Sequence, residues 1–109
     1  LTDGPPILIF DEVDAGIGGT AANAVASCLA GLAATHQVFV VTHLAQVAAV
    51  AHQQIVVRKH IVTTDGAERT RATAEQVAGN ERVDEIARML SGRPDSAAAR
   101  RHARELLAG

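Results

Sequence analysis

Four consecutive apolar residues, Ile7, Leu8, Ile9 and Phe10, lie between a Pro5-Pro6 pair and two carboxylates, Asp11 and Glu12. A run of that length, bounded by turn residues, reads as a strand buried on both faces, as in parallel sheets covered by helices. The chain is thereby expected to be α/β, and the two acids fall at the C-terminal tip of the strand. In open parallel sheets that edge is where ligands bind.

An apolar strand ending in two acids has the form of a Walker B segment. The hard Mg²⁺ ion of a nucleoside triphosphate takes oxygen ligands, which Asp11 can supply directly or through water. The adjacent Glu12 can orient and polarise a water that attacks the terminal phosphate. Taken alone the pattern is equally compatible with an acidic pair that ends a buried strand and opens a turn.

The 109 residues amount to one domain at most. Of the apolar residues 22 are alanine and only two are aromatic, so the core is built of small side chains and buries little area per residue. Ten basic against twelve acidic residues give a net charge of −2, which makes no electrostatic case for wrapping DNA or a membrane surface. Cys28 is the only cysteine and falls at an apolar helical position, so no internal disulfide forms and a reducing, cytoplasmic setting is expected. There is no apolar run long enough to span a membrane and no leader pattern.

After a glycine-rich loop at residues 16–19, Val25, Cys28, Leu29 and Leu32 recur at helical spacing and predict a helix over residues 20–34. Residues 38–41 form a second apolar run, read as a parallel strand reached by a right-handed crossover, with Thr42 and His43 at its tip. A short helix follows. A third strand begins at residues 55–58, and Asp65-Gly66 predicts a small hairpin whose return arm covers residues 70–77. Asn80 is a candidate N-cap for a helix with a Val83, Ile86, Ala87, Leu90 stripe, ended by Gly92 and Pro94. Asp95 is a candidate cap for a last helix over residues 96–108, with Ala99, His102, Ala103 and Leu106 on one face. Its arginines, Arg100, Arg101 and Arg104, read as a solvated face near a helix C-terminus.

In a right-handed β-α-β unit the two strand tips are neighbours, so His43 can approach the phosphate that Glu12 serves. A histidine alone at a strand end is more often structural. Together with Asp11-Glu12 and the acidic glycine loop, it points to a nucleotide.

These stretches, ILIFDEVDAGIGG, VFVVTHLAQVAAVA, IVVRKH and ERVDEIARMLSG, closely resemble the C-terminal part of the RecN family of bacterial DNA repair ATPases, relatives of SMC and ABC-type ATPases. The resemblance covers nearly the whole chain, with DEVDAGIGG and VTHL its most specific pieces and the hairpin its least. Ala45 stands where many relatives carry proline, which a helix start tolerates. The resemblance implies a partial P-loop NTPase head lobe of the ABC/SMC type over residues 1–109, with ATP and Mg²⁺ as cofactors. It makes Asp11 the magnesium residue and Glu12 the catalytic glutamate. Asp14 and Gly16, with Ala15 and Ile17, become the D-loop that crosses to a second head in a homodimer, and His43 the switch histidine. It also implies a role in double-strand break repair and recombination, in the cytoplasm and with the nucleoid when acting on DNA.

No G-x-x-x-x-G-K-[ST] phosphate loop occurs, and the Ser-Gly-Gly signature expected shortly upstream of the acids is absent too. The chain therefore reads as a fragment whose partner is the N-terminal phosphate-loop half of the head. That half would bring a strand beside residues 38–41, whose edge is otherwise open. Alone the chain is expected to hydrolyse ATP poorly or not at all. The alternatives are the same lobe of another SMC-like or ABC-type ATPase, an inert interaction module, and a metal-dependent hydrolase using Asp11, Glu12, Asp14 and His43. The last lacks a further ligand at suitable spacing.

Overall fold

The computed structural model describes residues 6–11 and 19–109. Strand β1 (Ile7–Asp11) pairs in parallel with β2 (Gln37–Val41), from Ile7 opposite Gln37 to Asp11 opposite Val41. Helix α1 (Gly19–Leu32) connects them, and all three elements lie within two residues of their expected bounds. A short helix α2 (Ala45–Ala49) leads to an antiparallel hairpin of β3 (Gln54–Thr64) and β4 (Ala67–Val77). Helices α3 (Gly79–Ser91) and α4 (Ala97–Ala108) complete a mixed α/β arrangement with two separate two-stranded sheets.

The Asp65-Gly66 pair turns the hairpin as expected, with φ of 53° and 77°. Two positive-φ residues in a two-residue loop match the strand twist, so pairing resumes at once. The return arm consequently begins at Ala67 rather than at residue 70. With 11 residues in each arm, the hairpin is long rather than small.

The helix ends show which caps act. At α3 the N-cap position is Ala78, without a side-chain cap, and Asn80 lies inside the helix. Ser96, not Asp95, caps α4: its Oγ accepts the Ala99 N–H at 3.3 Å. Ser96 immediately precedes the helix with extended φ and ψ, which lets its short side chain reach the first turn. Gly92 does end α3, in the left-handed conformation, donating its N–H to the Arg88 carbonyl.

Two apolar clusters share α2. Ala45, Ala48 and Ala49 of this helix pack with Ile86, Ala87, Ala99 and Ala103, joining it to α3 and α4. Its Val47 packs instead with Ala26 and Leu29 of α1, against Phe10, Val38 and Val40 of the parallel pair. Alanine on each surface lets the helices approach closely. Asp84 and Arg100 add an ion pair at 3.2 Å between α3 and α4. Within α3 the buried Glu85 accepts from Arg88 Nε, and this hydrogen bond raises the guanidinium pKa above its ordinary value.

Two burial expectations are corrected. The strands are covered on one face only: Ile7 and Ile9 are 61% and 73% exposed, and Phe39 and Val41 are 48% and 58% exposed. Among the described residues, α1 and α2 reach only the side carrying Phe10, Val38 and Val40. The stripe buried on α1 runs through Ala22, Ala26 and Leu29, and the free Cys28 is exposed, about 200° around the helix from Ala26. On α4, His102 is exposed, while Leu106 and Leu107 pack against the core beside Ala99 and Ala103.

Candidate functional site

The register of the parallel pair ends with Asp11 opposite Val41, so Thr42 and His43 continue from the strand tip next to Asp11. The Thr42 Oγ1 accepts the Leu44 N–H at 3.0 Å, which bends the chain out of β2. Leu44 then serves as the N-cap of α2, its carbonyl accepting the Val47 and Ala48 N–H groups at 3.2 and 3.1 Å. His43 is thus held in a tight connection between a strand and a helix, with its side chain exposed.

Asp11 is exposed as well. The ion pairs among the described residues join Arg88 to Glu85, Arg93 to Asp95 and Arg100 to Asp84, and none engages Asp11. No group of three or more His, Cys, Asp or Glu residues able to hold a metal is present among the described residues. One carboxylate at a strand tip suits an ion that completes its shell with water and phosphate oxygens, the habit of Mg²⁺. Glu12, Asp14 and Gly16, with Ala15 and Ile17, lie outside the described residues.

Beside β2 runs an open groove of about 630 Å³, lined among others by Leu29 and Ala33 of α1, Val38 and Val40 of β2, Val47 of α2 and Ile55 of β3. It follows the edge of β2 that β1 does not use.

Sequence reasoning missed Arg82. Its Nη2 donates to the carbonyls of Ala51 at 2.7 Å, Ala48 at 3.1 Å and Ala49 at 3.5 Å, and its Nε donates to Gln54 Oε1 at 3.1 Å. Burial pushes the guanidinium pKa down, but arginine remains cationic at any physiological pH. One signal was available: an arginine in the first turn of a helix opposes the macrodipole, so another contact must hold it there. His36, just past the end of α1, is half-buried, its Nδ1 3.2 Å from the Leu32 carbonyl.

No family model matches the chain. Curated relatives do. Over 104 residues, 95% of this chain, it is 59% identical to a "DNA repair protein RecN" from Deinococcus radiodurans. Proteins of the same name match at 53% over 97% of the chain in Streptomyces coelicolor and at 47% over 92% in Treponema pallidum. The chain matches a C-terminal segment of these RecN proteins. It spans 17% to 18% of the length of these RecN relatives. No helix among the described residues is long and apolar enough to cross a membrane.

Proposed function

We propose that this RecN segment is the C-terminal lobe of an ABC/SMC-type ATPase head, with β1 and β2 as neighbouring strands of a P-loop NTPase sheet. The parallel register carries the reading, since it brings the tips bearing Asp11 and His43 side by side. Support comes from the bare apolar face of β1 and β2 and the groove along the free edge of β2. Both offer room for the phosphate-loop half of a head.

In this lobe the Asp11 carboxylate offers oxygen to Mg²⁺ or to its waters. Bound Mg²⁺ neutralises phosphate charge. Glu12 orients the attacking water and accepts its proton. The His43 imidazole donates a hydrogen bond to the terminal phosphate, where negative charge must be held through the transfer. The resemblance assigns Asp14 and Gly16 to the D-loop, and on this reading two copies bind two ATP molecules between them. The whole protein couples this cycle to DNA at breaks, in keeping with its relatives being named DNA repair proteins.

Replacing His43 by alanine in a full-length RecN-family protein carrying this segment is expected to lower kcat by about 10²- to 10³-fold, the scale for losing one charge-stabilising donor. ATP affinity should change little, because the phosphate loop supplies the main grip. Steady-state turnover together with fluorescent-nucleotide binding measures both, and unchanged kcat would remove His43 from the site.

A further inference from the structure

Helix α2 has five residues, too few to persist on its own hydrogen bonds, and no basic residue of its own in its last turn. The cation that serves its C-terminal carbonyls comes instead from α3, through the three Arg82 contacts to Ala48, Ala49 and Ala51. The same guanidinium is oriented by Gln54 at the base of the hairpin, a buried side chain whose Nε2 in turn approaches the Met89 sulfur at 3.8 Å. Arg82 forms no ion pair among the described residues. Its donors therefore go to the last two carbonyls of α2, to the Ala51 carbonyl just beyond the helix and to one amide, an arrangement that fixes position rather than neutralises charge.

The other end of α2 is the connection that carries His43. Thr42 Oγ1 and the Leu44 carbonyl tie that connection to the first turn, and Val47 and its neighbouring alanines pin the helix between the two cores. We propose that Arg82 is a positioning residue for His43: by holding the C-terminal carbonyls of α2, it sets how the tip of β2 presents the imidazole to the terminal phosphate of a nucleoside triphosphate. The proposal rests on the nucleotide reading of the site given above. The planar fork of arginine suits the task, since its Nη2 and Nε address two directions at fixed angles. A lysine ammonium carries its three donors on one nitrogen and can replace only part of that set.

The test uses a full-length RecN-family protein carrying this segment, with Arg82→Ala, Arg82→Lys, His43→Ala and the His43→Ala/Arg82→Ala double variant. Arg82→Ala is expected to lower kcat by about ten- to a hundredfold, the scale of a small misplacement of a catalytic group. The KM for ATP should move by less than about threefold. Arg82→Lys should recover part of the rate. The double variant should be no slower than His43→Ala alone, because the loss passes through the imidazole. Gln54→Leu removes one anchor while leaving Arg82 in place; it should lower kcat in the same direction without shifting the unfolding midpoint, which guards against a folding defect in Arg82→Ala. Wild-type kcat in Arg82→Ala, or losses that multiply in the double variant, would overturn the proposal. Should His43→Ala itself keep wild-type turnover, the nucleotide role of His43 falls and the Arg82 proposal with it. An inactive His43→Ala beside a fully active Arg82→Ala removes the Arg82 proposal alone.

Discussion

With Glu12 replaced by glutamine, a full-length RecN-family protein carrying this segment is expected to bind ATP normally and lose turnover by about 10²- to 10⁴-fold, the range for removing a general base. Glutamine keeps the shape of the side chain and one hydrogen bond to water, but it cannot take a proton. On the proposed reading it also removes a negative charge that would otherwise repel the phosphates. Binding therefore survives, and the nucleotide-bound pair of heads should accumulate instead of dissociating after hydrolysis. Single-turnover hydrolysis combined with size-exclusion chromatography reads both consequences. Wild-type turnover in Glu12→Gln would take Glu12 out of the role of base, leaving Asp11 and His43 to be explained in another way.

The second large effect concerns stability. Ile86 is the one large side chain fully buried among the described residues, at 0% exposure, and its buried neighbours in the cluster are all alanines. Alanines cannot swing in to fill a vacated volume, and only the partly buried side chains at the rim, such as Met89 and Leu106, can relax toward it, so Ile86→Ala should leave part of its cavity open. The expected cost is about 2–5 kcal/mol, and Ile86→Val should cost about 0.5–1.5 kcal/mol. Against a total stability of about 5–15 kcal/mol for an ordinary domain, the first is a large fraction. Urea unfolding of the two variants beside the wild type gives these differences directly. A loss below about 1 kcal/mol in Ile86→Ala would mean that the cluster joining α2, α3 and α4 is not what holds them together.

What could be read ahead of the structure was local. The apolar run before Asp11 and the Asp65-Gly66 turn each follow from a few adjacent residues, and both stand as expected. The stripe through Val83, Ile86, Ala87 and Leu90 also follows from spacing alone. Helix caps were harder, because Ser96 and Asp95 are both competent and backbone geometry decides between them. Burial of the parallel strands on both faces was a statement about neighbours. An apolar sequence shows that a face needs covering, but not that the described residues cover it. Arg82 was hidden for a further reason: the carbonyls it serves lie 31 to 34 positions earlier in the chain, and backbone acceptors leave no trace in residue identity. Of the candidate site, Asp11 and His43 stand at adjacent strand tips, as the crossover argument required. Glu12, Asp14 and Gly16 rest on their place in the sequence and on the family.

The central claim is that this segment completes a nucleotide site whose phosphate grip lies on the other half of the head. Its most direct test is steady-state ATP hydrolysis by the chain alone, by a phosphate-loop-bearing N-terminal half alone, and by the two mixed, with His43→Ala as control. Turnover confined to the mixture and lost with His43→Ala is the predicted result. Turnover in the mixture that ignores His43→Ala, or two halves that associate and still hydrolyse nothing, would contradict the account.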